Sequence, residues 1–214
     1  MGDLILLEDL RAARRAESAT PRQRPGGHPP ITFAFEPGSP WTYLAAERVE
    51  RRFAGVRWLP VAGSPLGLEP PSDGDVARLA VERRAAELAL PLVWPERGPA
   101  TGPGVARVAT LAARGGHAAP FVLAAGRLAY CGGYDLDDPA VLAEAAAAGG
   151  LDPARALEAA CEAAHDAAPL RAAARLTRCG AAALPVLRVG RTLFCGERRI
   201  AEASALLAAG RASG

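Results

Sequence analysis

The chain has 214 residues, half of them hydrophobic, and a formal charge of +2. That suffices for one large domain or a domain with an insertion, and the interspersed acids and bases argue against a nucleic-acid or polyanion surface as its main business. No apolar run approaches the roughly 20 residues that cross a bilayer, and Met1–Leu7, with Asp3, Glu8 and Asp9 around it, has no basic start or small-residue cleavage site. A cytoplasmic protein with no nucleic-acid or membrane partner is expected.

Residues 3–17 have the spacing of a short amphipathic helix. Residues 18–30 are polar and rich in Pro and Gly, which reads as a linker, so residues 1–30 form an N-terminal extension. Ile31–Phe35 alternates β-formers and stops at Pro37-Gly38, predicting a strand. Ser39 and Pro40 then supply a favoured N-cap and first helical residue. Trp41, Leu44, Ala45, Val49 and Phe53 recur at helical spacing up to Gly55. Val56–Val61 reads as a second strand, completing a β-α-β unit with a right-handed crossover.

The middle is Ala-rich and helical. Helices are predicted over 73–90, 105–114, 118–130, 139–148, 153 to about 164, and 169–179. Asp138-Pro139 and Asp152-Pro153 are start signals. Gly149-Gly150 and Gly180 are stops. Strands return at 185–189 and 192–195 around Gly190-Arg191, a pair suited to a tight hairpin. A last helix is predicted from Ile200 to about Leu207. The order β-α-β, helical block, β-β-α is that of an α/β thioredoxin-like domain (31–72 and 181–210) with a large helical insertion (73–180).

The four cysteines, Cys131, Cys161, Cys179 and Cys195, form no Cys-x-x-Cys pair and read as reduced, partly buried thiols. A zinc site would need paired spacing that is absent, so no metal is expected. Of the histidines, His28 falls in the linker, His117 in a turn, and His165, beside Asp166, reads as solvated. Asp135, Asp137 and Asp138 read as a helix-capping turn.

Two segments carry a more specific likeness. FAFEPGSPWTYLAAERV resembles the first strand and helix of 2-hydroxychromene-2-carboxylate isomerases and kappa-class glutathione transferases, with Phe35, Glu36, Ser39, Pro40, Trp41, Tyr43 and Leu44 in step. GAAALPVLRVGRTLFCGERRI resembles the proline segment, hairpin and Phe-x-Gly-x-Asp-Arg-Leu stretch of the same families. Together these identify the chain as similar to the serine branch of the DsbA-like thioredoxin superfamily over about Ile31 to Leu207.

The resemblance implies roles. Redox members start this helix with Cys-Pro-x-Cys, where this chain reads Ser39-Pro40-Trp41-Thr42, so disulfide exchange is excluded at that site. Ser39 would be catalytic. Its hydroxyl and the positive helix N-terminus would favour the thiolate of bound glutathione over the thiol. Leu184-Pro185 takes the position of the fold's cis-proline, and the N–H and C=O of Leu184 would pair with the ligand's backbone. Gly196, Glu197 and Arg198 fall in the cofactor-binding stretch. Trp41 either walls the substrate pocket or anchors the core, while Tyr43, Trp58 and Trp94 read as structural.

Two departures stand out. Arg198 replaces the aspartate that would hold the γ-glutamyl amine, leaving Glu197, one position earlier, as a substitute. Leu68 replaces a polar asparagine in Gly67-Leu68-Glu69-Pro70-Pro71. The implied activity is thiol-dependent isomerisation. Thiolate adds to an electrophilic carbon of a cyclic hemiketal carboxylate, the ring opens, a carbon–carbon bond rotates, and the thiol is expelled. Arg198 or Arg199 would hold the substrate carboxylate. The implied cofactor is glutathione or another low-molecular-weight thiol. The partner is a small electrophile or aromatic-catabolism intermediate, and a homodimer is consistent with relatives. The alternatives are a kappa-like glutathione transferase and a redox-inactive thioredoxin-like binding module.

Overall fold

In the computed structural model the described residues are 29–62, 67–68, 74–100 and 102–212. The predicted helix 3–17, His28 and Glu69–Pro71 lie outside them. The described residues form a four-stranded sheet in the order β2-β1-β3-β4. β1 (Ile31–Phe35) runs parallel to β2 (Arg57–Pro60) and antiparallel to β3 (Val186–Val189), which pairs antiparallel with β4 (Thr192–Cys195). Segments 31–60 and 186–195 thus build one sheet, and the helical block leaves it after β2 and returns before β3.

Eight α-helices occur among the described residues: α1 (Pro40–Arg52), α2 (Asp75–Glu87), α3 (Gly104–Gly115), α4 (Ala118–Tyr130), α5 (Pro139–Ala148), α6 (Pro153–Cys161), α7 (Ala167–Arg178) and α8 (Ile200–Ala212). The Asp-Pro start signals work as expected. The Asp138 carboxylate accepts from Ala140 N at 2.8 Å and that of Asp152 from Ala154 N at 3.1 Å. Each satisfies an N–H that the first helical turn leaves without a partner.

Period-two alternation divides the core. On one side of the sheet Phe33, Phe35 and Leu187 pack with Leu44 and Val49 of α1, and Trp58 meets Phe33 edge-on with centroids 4.9 Å apart. On the other side Ala34 and Val186 pack with Ala173 and Leu176 of α7. The insertion packs α4 on α1 and α3 on α6. Its alanines are small enough for backbones to approach closely. At Gly149 a Cβ would lie 2.7 Å from the Cα of Phe121, so only glycine fits there.

Some expectations need correction. The helix predicted to run to about residue 164 stops at Cys161, because Glu162 is extended at φ −84°, ψ 105°, and a 3-10 turn (Ala163–His165) follows. That turn folds against α3, where Arg107 grips Asp166 through two hydrogen bonds of 2.7 and 2.8 Å and the carbonyl of Ala160 at 2.9 Å. His165 is therefore not solvated but 3% exposed. Its Nε2 lies 3.2 Å from the Glu162 carboxylate, in poor alignment for a hydrogen bond. The cysteines are less buried than expected: Cys131, Cys161 and Cys179 are exposed and Cys195 half-buried, all as free thiols. The last helix extends to Ala212 and is preceded by a 3-10 turn, Glu197–Arg199.

Candidate active site at the start of α1

β1 delivers the chain to a tight turn at Pro37-Gly38 and then to Ser39, the N-cap of α1. Gly38 has φ +82°, a conformation other residues adopt only at a cost. Its carbonyl accepts a hydrogen bond from the hydroxyl of Tyr130 at the end of α4. The turn is closed by Ser39 N donating to Glu36 O at 3.3 Å and by the Thr42 hydroxyl donating to the same carbonyl at 2.8 Å.

The Ser39 hydroxyl oxygen accepts from Trp41 N at 3.2 Å. Ser39 is 6% exposed, Pro40 holds the first helical position, and the first turn has no acidic residue while Arg51 and Arg52 occupy the last. The N-terminal partial positive charge is thus uncompensated by the helix's own side chains, and a thiolate held there would gain from it.

The Leu184-Pro185 peptide bond is cis. Val186 pairs with Ala34, so Pro185 comes level with Phe35 at the end of the sheet from which the Ser39 turn departs. Ser39, Leu184 and Pro185 are therefore gathered at one sheet end, although about 145 residues apart in the chain. The backbone around the proline is already engaged. Leu184 N donates to Leu68 O at 2.7 Å, and Gly196 N donates to Pro185 O at 2.8 Å. The Leu184 N–H that the resemblance assigns to a ligand is thus held by the chain itself. The Leu68 side chain, 4% exposed, packs in the same cluster as Leu184 and Val61. The apolar side chain at this position fills core.

Glu197 is 3% exposed. Its carboxylate bonds Arg48 of α1 and is held by Arg84 of α2 through contacts of 2.5 and 3.1 Å. Arg48 also donates to the Glu197 carbonyl at 3.2 Å. Burial first, then the neighbouring Arg84 charge, pulls the Arg48 pKa down to about 10. Arg48 lies nine residues beyond Ser39, roughly 13 Å along the helix at 1.5 Å per residue. Glu197 thus sits against the far half of α1. Arg198 is exposed and faces Glu87 of α2 at 3.4 Å.

Trp41 is half-buried and packs against the main core, which is the core-anchor alternative. Tyr43 is structural: its hydroxyl donates to Pro91 O at 2.6 Å and lies 3.3 Å from Cys131 Sγ. Burial first, and then the Cys131 contact, push its pKa well above the ordinary tyrosine value. Trp94 stands edge-on to Tyr130 and donates to Glu82 at 2.9 Å. Arg48, Arg84 and Tyr130 escape sequence reasoning. Each acts through a partner more than ninety positions away, or on another helix, with no local pattern to mark it. Among the described residues no group of His, Cys, Asp and Glu is arranged to hold a metal ion, and no helix is long and apolar enough to cross a membrane.

A parallel β-α-β unit, an antiparallel hairpin, a helical insertion between them and a cis-proline level with the end of the first strand define a thioredoxin-like fold of the DsbA type. The solved structures it resembles fill in that class. Over 86% of this chain and 95% of the other, it superposes on a 2-hydroxychromene-2-carboxylate isomerase with a TM-score of 0.69 at 17% identity. The cytosolic disulfide reductase DsbM from Pseudomonas aeruginosa, solved with GSH, matches with a TM-score of 0.56 at 21% identity over 76% of this chain and 87% of that one. A "probable DsbA oxidoreductase" from Streptomyces coelicolor matches with a TM-score of 0.60 at 19% identity, covering 79% and 84%. No protein-family model and no curated protein matches the sequence. At these identities the likeness establishes the fold.

Proposed function

We propose that the chain is a thiol-dependent isomerase resembling 2-hydroxychromene-2-carboxylate isomerase, in which Ser39 holds the sulfur of a low-molecular-weight thiol as thiolate. The observation that carries this is a serine hydroxyl capping a helix whose first turn has no acidic residue, at the sheet end that also bears Leu184-Pro185. A disulfide oxidoreductase needs a thiol where Ser39 stands, which makes the isomerase the better reading among the activities this fold hosts. Leu184, Pro185 and Gly196 would frame the thiol, Trp41 would wall the substrate, and a small electrophile is the partner.

Glutathione is one candidate thiol, with Glu197 and Arg198 in the stretch that would meet its γ-glutamyl end. The engagement of Glu197 by two arginines favours a thiol that lacks the γ-glutamyl amine. Calorimetric titration with glutathione, cysteinylglycine and N-acetylcysteine tests this. Tighter binding of a γ-glutamyl-free thiol supports the reading. Absence of binding by every thiol would reject it and favour a non-catalytic binding module, the reading suggested by the Leu68 carbonyl on Leu184 N–H. Product analysis separates the enzymes: a rearranged, thiol-free product marks an isomerase and a stable thioether a kappa-like transferase.

A further inference from the structure

The sheet face turned away from α1 carries a second feature. A cavity of about 290 Å³ lies between this face and α7, close to the lower end of the range for small-molecule sites. Its shape follows from the strand register. Thr32 is paired with Arg57 on one side and Arg188 on the other, and Arg188 is paired with Leu193. Side chains directly opposite in adjacent strands share a face, so Arg57, Thr32 and Arg188 form one row across three strands. With strands about 4.8 Å apart, the two arginines start about 10 Å from each other, and only a threonine hydroxyl stands between them.

The row next to it is apolar: Leu59, Ala34 and Val186. Small Thr32 and Ala34 at the centre are what leave the cavity open beneath α7. From above, α7 adds Ala172 and Leu176 as an apolar wall and Arg171 as a further cation.

Cross-strand neighbours of like charge repel, and sheets ordinarily oppose such rows with acids. Here none of the ion pairs among the described residues uses Arg57, Arg171 or Arg188, and Arg188 donates only to the carbonyl of Gly190, at 2.8 Å. Among the described residues that line the cavity there is no carboxylate. Arginines that converge on a hydroxyl over an apolar floor match one ligand chemistry: an anionic head on a compact apolar body.

We propose that this cavity is a binding site for a small organic acid with an apolar tail, its carboxylate held by Arg57, Arg188 and Arg171 with the Thr32 hydroxyl, and its tail on Ala34, Leu59 and Leu176. The site lies on the opposite side of the sheet from α1 and does not depend on the role assigned to Ser39. Unlike a general surface patch, it requires charge and tail together.

The test is calorimetric titration of the full chain with 4-phenylbutyrate and decanoate, with 4-phenylbutanol as the neutral control. Saturable one-to-one binding of an acid, absent for the alcohol and weakened by salt, is expected. The exposed replacements Arg171→Gln and Arg188→Gln should each weaken binding about threefold to fivefold, and together about tenfold or more, without changing the circular dichroism spectrum. Ser39→Ala should bind the acid as the parent does. Equal binding of the alcohol, no binding of either acid, insensitivity to both arginine replacements, or loss of binding in Ser39→Ala would each overturn the proposal.

Discussion

Replacing Glu197 by Gln probes how the proline segment is tied to α1 and the insertion. The carboxylate side chain is 1% exposed, and its arginine partners Arg48 and Arg84 are 13% and 14% exposed. Removing one member of a buried ion cluster typically costs about 3–5 kcal/mol, because the remaining charges stay desolvated and uncompensated. Here the lower end applies. Arg84 keeps Glu87 at 2.7 Å, and Arg48 keeps the carbonyls of Leu44 and Glu197. A loss of about 3 kcal/mol in a chain of this size corresponds to a fall in Tm of about 6–12 °C, at roughly 2–4 °C per kcal/mol. Thermal and urea unfolding followed by circular dichroism measure it directly. Replacing all three residues together, Arg48→Met, Arg84→Met and Glu197→Leu, should recover most of the loss, since it removes the charges as well as their pairing. A Glu197→Gln protein within about 2 °C of the parent, where the same scale leaves less than about 1 kcal/mol, would refute the buried-clamp reasoning.

Three other perturbations read different parts of the structure. Gly38→Ala forces a Cβ onto a residue at φ +82°; the space is adequate, with Ala100 and Val105 at 3.4 Å, so the expected cost is the left-handed backbone alone, about 1–2 kcal/mol by urea unfolding. Asp166→Asn removes a carboxylate whose pKa the hydrogen bonds from Arg107 lower. That stability is present above the unfolded carboxyl's value of 3.8 and is lost as pH falls through the lower folded value, so the mutant's deficit should vanish in acid. A deficit that persists there would assign the loss to packing. Changing all four cysteines to serine should leave turnover intact, because the residue that caps α1 is already a serine, Ser39; abolished turnover would point to cysteine chemistry instead.

Local signals made the scaffold readable. Ile31–Phe35, the Gly190-Arg191 hairpin, and the helices 118–130 and 139–148 follow from alternation, turn residues and Asp-Pro caps that act within a few positions. Ser39 as N-cap was visible for the same reason. What stayed hidden is tertiary. Nothing near Glu197 in the sequence indicates that Arg48 and Arg84 converge on it, and nothing near Leu68 indicates that its carbonyl meets Leu184. His165 looked solvated because its neighbours are polar. It is buried because Arg107, from another helix, takes up the charge of Asp166 beside it.

The central claim is that the Ser39 hydroxyl and the start of α1 favour a thiolate. The most direct measurement is the pKa of a bound thiol, read from thiolate ultraviolet absorbance across a pH titration, in the parent and in Ser39→Ala. The account predicts a pKa below that of the free thiol, near 8.5, and a rise of about one unit or more in the mutant, since a hydrogen bond to a charged group contributes about 1.5–3 kcal/mol. A bound thiol with the same pKa in both proteins would contradict it.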